Sequence, residues 1–142
     1  MRSIFTAIVC SFLLGCAATQ KVSLYKSYND YHEQLSAANL SRLASSYFSS
    51  SLLSADLKND DVQEQLLFSK LMIKQLQHAE LVVANSGCLV VVGEDSEQEP
   101  IQFNLAYHYE ANKWLIDRVN VLFLQQRPKN VSISSCNALF VE

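Results

Sequence analysis

Glycine and proline are scarce in this chain of 142 residues, with three of one and two of the other. That argues against a loop-rich scaffold, whose turns draw on the free φ of glycine and the fixed φ of proline. Basic side chains are few as well, eleven against fourteen acidic ones, for a formal net charge of -3. The weak acidity is spread along the chain, so the basic face that nucleic acid requires is missing. No Cys-x-x-Cys occurs, and His32, His78 and His108 stand apart without ligand spacing, so neither a metal centre nor a cofactor is expected. A Gly-x-Ser-x-Gly turn, a glycine-rich phosphate loop and a Cys–His pairing motif are also lacking. The longest early apolar run, residues 4–14, falls well short of the roughly 20 residues that span a bilayer.

That run is nevertheless informative. It follows Arg2, has a short apolar core, and gives way to polar Thr19 and Gln20, the pattern of a secretory signal that is excluded from the fold. Its end, Leu13-Leu14-Gly15-Cys16, resembles the lipobox of bacterial lipoprotein precursors. The resemblance implies that residues 1–15 are removed and that Cys16 carries diacylglycerol and a further palmitate-type acyl chain. Residues 16–23 would then be the lipidated cysteine and a short tether. Two or more acyl chains hold a protein stably on a membrane, whereas one is reversible. With Ala17, and not Asp, after the cysteine, the resemblance leans toward the outer membrane, with the domain on the periplasmic side. The competing reading is an ordinary signal cut after Gly15 or Ala17, with Cys16 incidental.

Four cysteines are present. Cys10 leaves with the signal and Cys16 would carry lipid, which leaves Cys88 and Cys136 as an even pair in an oxidising compartment. They form either a disulfide closing a loop of nearly fifty residues or two separate buried thiols.

The remainder, 24–142, is one domain of ordinary size. Leu24, Tyr28, Tyr31 and Leu35 recur at steps of four, three and four, one stripe of an amphipathic helix. A shorter helix follows through Leu40, Leu43, Tyr47 and Phe48, with Asn39 or Ser41 as its cap. A third begins at Asn59, Asp60 and Asp61, with capping-box spacing from Asp60 to Gln63. Its apolar positions (Val62, Leu66, Ile73, Leu76) carry it to about His78, so it should be largely buried. Strands are expected at 81–83 and 88–92 around the turn Asn85-Ser86-Gly87, then at 101–109, where apolar and polar residues alternate, and at 114–124. A last strand is placed between 131 and 141. Helices first and an antiparallel sheet afterwards make an α+β domain.

This order, with the hairpin block from Tyr107 to Val121, resembles the NTF2-like (cystatin-like cone) superfamily. The resemblance implies about three N-terminal helices on a curved antiparallel sheet of four to five strands. It also implies a conical pocket between them and dimerisation through the outer sheet face. Some members place an Asp in that pocket for isomerase or dehydratase chemistry. Here Asp117 is the candidate, since strand alternation sets it with Leu115, Val119 and Val121. A carboxyl in an apolar pocket would have a raised pKa and act as a general base. The competing reading puts Asp117 at a bulge or edge, in solvent. His108 alternates with Gln102, Asn104 and Ala106 on the polar face, which gives it no place beside Asp117. Tyr107 and Tyr109 are candidate pocket aromatics, and Trp114 and Ile116 candidates for an interacting sheet face.

The function expected is that of a membrane-anchored periplasmic lipoprotein binding a protein partner, a second copy or a small apolar ligand without catalysis. The alternatives are a pocket enzyme of isomerase or hydratase type using Asp117, and a structural accessory of an envelope complex.

Overall fold

The computed structural model describes residues 21–54 and 59–136. The lipobox, Cys16, the part of the tether up to residue 20, residues 55–58 and residues 137–142 lie outside the described residues. The chain is α+β, and its described residues form three α-helices ahead of a four-stranded antiparallel open sheet.

Ser23 starts the first helix, α1 (Leu24–Gln34), by accepting a hydrogen bond from the Lys26 amide at 3.1 Å. Leu24, Tyr28, Tyr31 and Leu35 are all buried, so the stripe read from their spacing is the face that meets the sheet. The second helix, α2 (Leu40–Leu43), runs into a 3-10 turn over Ala44–Ser46. The chain then lies along a strand edge, where the Ser49 amide donates to the Ile116 carbonyl and the Ile116 amide to the Tyr47 carbonyl.

The third helix, α3 (Asp60–Leu66), is capped by Asn59, whose side chain accepts from the Asp61 amide at 2.9 Å. It is far shorter than expected. A 3-10 turn over Phe68–Leu71 follows, and Lys74–Val83 is a strand, β1, not helix. Two interactions outweigh the helical spacing of Ile73 and Leu76. The Tyr31 hydroxyl donates to the Leu66 carbonyl at 2.7 Å, taking an acceptor that a continuing helix would use. Residues 74–83 find nine ladder partners in the next strand, and long-range pairing of that extent overrides local propensity.

The sheet is a meander in the order β1-β2-β3-β4, with β2 at Ser86–Glu94, β3 at Pro100–Glu110 and β4 at Lys113–Phe123. Both turn residues between β3 and β4, Ala111 and Asn112, have positive φ. That is the geometry whose twist matches a two-residue hairpin. Gly93 is required where it stands, because a Cβ there would overlap the Lys74 carbonyl oxygen and the Met72 side chain.

The helix face of the sheet carries Leu89, Val91, Ile101, Phe103, Leu105, Tyr107, Trp114 and Ile116, all in the main core with α1 and Phe68. The outer face carries Cys88, Val90, Val92 and Ala106. It is covered by the segment that ends in the 3-10 turn Ile133–Cys136, where part of a final strand was expected. A disulfide joins Cys88 to Cys136, with 6.0 Å between their Cα atoms. It fastens that cover to β2.

One irregularity governs β4. Tyr107 pairs with Ile116, yet Ala106 pairs with Arg118, so Asp117 is the extra residue of a β-bulge. Side chains alternate between faces with a period of two, and an inserted residue reverses their parity. Trp114 and Ile116 therefore share the helix face with Val119 and Val121, the residues opposite Leu105 and Phe103.

Candidate functional site

A cavity of about 640 Å³ opens between α3 with its following turn and the helix face of β4. Val119 and Val121 form its sheet wall, and Val62, Leu66, Phe68 and Leu71 its helix wall. Leu52 closes one side. Among the described residues, polar groups line it only where α3 turns outward, at Asp61, Glu64 and Gln65. Asp61 and Glu64 are both exposed. The site is therefore a mainly apolar pocket whose ionisable lining groups, among the described residues, are two carboxylates. Such a lining holds an apolar body and favours a neutral or cationic end over an anionic one.

Asp117 is not among the residues lining this cavity. Its bulge position turns it toward the serine-rich segment, where the Ser51 hydroxyl donates to its carboxylate at 2.7 Å and bridges on to Ser49. Partial burial acts to raise its pKa. The hydrogen bonds of the Ser49 and Ser51 side chains, together with the charges of Arg118 and His108, outweigh that and hold it below 3.8. The direction is opposite to the one a general base in an apolar pocket would show.

Tyr107 and Tyr109 are separated by their surroundings. Tyr107 is 2% exposed beneath α1, in the core and not in the cavity. Tyr109 lines a smaller cavity of about 270 Å³ with Trp114, Tyr47 and Val22. There the Lys21 ammonium sits 4.3 Å from the Tyr109 ring centre, and the Trp114 indole N–H donates to the Val22 carbonyl at 2.8 Å. Trp114 and Ile116, candidates for an interacting sheet face, are 3% and 1% exposed under the helices and offer no such surface. The bulge explains it, since alternation counted straight through Asp117 puts them on the wrong side of Val119.

A second polar group of residues lies deeper. Tyr31 donates to the Leu66 carbonyl and accepts from the Ser69 amide at 3.4 Å. Burial pushes its pKa up to about 12, against the opposing influence of the adjacent Ser69. The pKa values of Tyr28 and Tyr107 are raised as well, first by burial and then by neighbouring tyrosines. The hydroxyls of both, with Ser69 Oγ and His32 Nδ1, are buried without a hydrogen-bond partner among the described residues. Burial and the nearby Lys70 lower the His32 pKa, with Glu33 and Ser69 opposing.

The residues that build the 640 Å³ cavity were not singled out by sequence reasoning, because Leu66, Phe68 and Leu71 fell inside a helix read as continuous to His78. The usable signal was Lys74–Val83 itself, a stretch without glycine or proline that ends in Leu81-Val82-Val83. Among the described residues, no group of three or more His, Cys, Asp or Glu side chains converges as a metal site, and no helix is long and apolar enough to cross a membrane. Compared with protein-family models, curated proteins and solved structures, the chain matches none.

Proposed function

We propose that this chain is a lipid-anchored envelope protein with one NTF2-like domain, and that the domain binds an apolar ligand in the cavity between α3 and β4. The observation that carries the reading is the lining: among the described residues, seven apolar side chains in the walls and no ionisable group except Asp61 and Glu64. The ligand class is an apolar body, alkyl or aromatic, with a neutral or cationic end. Base catalysis at Asp117 is less well supported, since hydroxyl donors and Arg118 keep that carboxylate ionised at neutral pH. The anchor rests on Leu13-Leu14-Gly15-Cys16 and the apolar run before it.

Native mass spectrometry of the form spanning 17–142, secreted into a bacterial periplasm, tests the reading. Extra mass that survives gentle ionisation and disappears on unfolding is expected. Val121→Glu, which sets a carboxylate in the sheet wall, should abolish it. A bare protein that also fails to take up long-chain alkylamines would sink the proposal.

A further inference from the structure

Among the described residues, Leu71, Ile73 and Phe123 are exposed apolar side chains toward the far end of the sheet, and four others gather at the opposite end. Leu81, Val82 and Val83, at 47%, 42% and 63% exposed, occupy the end of β1 at the β1–β2 hairpin tip. Val22, 50% exposed, is held at the same end of the domain. The Lys21 ammonium donates to the Ala84 carbonyl and the Asn85 side chain in that tip, and Trp114 fixes the Val22 carbonyl. The Asn85 carbonyl in turn accepts from the Tyr109 amide, which brings the end of β3 alongside. An edge strand with three consecutive exposed apolar residues is a liability in solution unless something covers it.

We infer that the covering surface is the lipid bilayer itself, and that the hairpin tip dips into the membrane that holds Cys16. The inference rests on the anchor reading given above. Given that anchor, its support is the length of chain between the anchor and the tip. From Cys16 to Lys21 the chain spans at most about 18 Å even when fully extended. An acylated cysteine sits at the boundary of headgroups and acyl chains, and the headgroup layer takes up about 5–8 Å of that reach. The end of the domain marked by Lys21 and Ala84 is therefore confined to the membrane surface. Leu81, Val82 and Val83 are the apolar groups located there. A shallow dent of about 150 Å³ between Leu81, Val83, Ser86 and Gly87 gives that surface room to seat acyl chain ends. Lys21 and Lys113 balance Glu80 and Glu110 at this end. The contact is thus apolar in character and insensitive to salt.

The test uses the full-length protein, purified from membranes and reconstituted in vesicles of phosphatidylethanolamine and phosphatidylglycerol with brominated acyl chains. Mass spectrometry first reads whether Cys16 carries lipid. Tryptophan is then placed at two exposed positions, Val83→Trp at the tip and Phe123→Trp at the far end of β4, where Phe123 is 69% exposed. The unmodified protein, whose single Trp114 is buried, supplies the baseline. Expected is a blue shift and loss of emission for Val83→Trp, unchanged in high salt, and no loss for Phe123→Trp. A lipidated protein in which neither tryptophan is quenched overturns the inference and leaves the anchor standing. A chain without lipid on Cys16 removes the anchor and the inference with it. A blue shift at Val83→Trp that persists in vesicles without bromine and is not quenched with it assigns the tip to a protein partner, which also overturns the inference.

Discussion

Tyr28 and Tyr31, one turn apart on α1, carry the same hydroxyl into the same core and meet different surroundings there. That of Tyr31 donates to the Leu66 carbonyl, while that of Tyr28 has no partner among the described residues. A buried hydrogen bond lost on one side leaves the other group unsatisfied, at a cost of about 1–3 kcal/mol, whereas deleting an unpaired hydroxyl removes a penalty. Tyr31→Phe should therefore lower the unfolding free energy in urea by about that amount, and Tyr28→Phe should leave it unchanged or raise it. Equal losses in the two variants would contradict the assignment. His32 sets a pH dependence. Its folded pKa lies below the ordinary 6.5 because burial and Lys70 disfavour the charged ring. The unfolded chain thus binds more protons below that value, and the stability present above pH 6.5 is lost as pH falls. The urea midpoint should drop between pH 7.5 and 5, and His32→Gln should drop less.

At the level of elements, the close approach of β1 to β2 depends on Gly93. Gly93→Ala must push back a backbone carbonyl as well as Met72. It should cost about 1–3 kcal/mol as a case of overpacking, read as a lower melting temperature. Gly87→Ala meets only the side chain of Leu24 and should be milder. The β2–β3–β4 meander was legible in the sequence because alternation such as Ile101, Phe103, Leu105, Tyr107 states both the element and its buried face. The helix stripe of α1 was legible for the same reason. One feature was not. The boundary between α3 and β1 is set by a hydroxyl 35 residues upstream and by pairing with β2, and neither leaves a local mark. A bulge at Asp117 stood in the sequence as one of two readings, while Trp114 and Ile116 were placed by the other, with alternation counted straight through. With the boundary went the cavity, and with the bulge went the placement of Trp114 and Ile116.

For the molecule as a whole, the disulfide decides whether the outer face of the sheet is covered. Cys88 and Cys136 are 48 residues apart, and on the chain-entropy account such a cross-link stabilises by about 4 kcal/mol. Cys88→Ala combined with Cys136→Ala should lose about that much in denaturant, and Val90 and Val92 should lose amide-exchange protection as the cover lifts. A loss below about 1 kcal/mol would mean that packing of Val131 and Ile133 alone retains it. The bulge has a consequence of a different kind, for inheritance. Replacing Asp117 changes one carboxylate, and Asp117→Asn should fold and keep its cavity. Losing its codon removes only the extra residue. Ile116 and Arg118 would then be neighbours in unbroken alternation, with Val119 and Val121 still on the helix face and Arg118, Asn120 and Leu122 still turned away from it. In this stretch of the gene, natural variation should tolerate a chain shorter by one residue, provided that the alternation resuming at Val119 is kept.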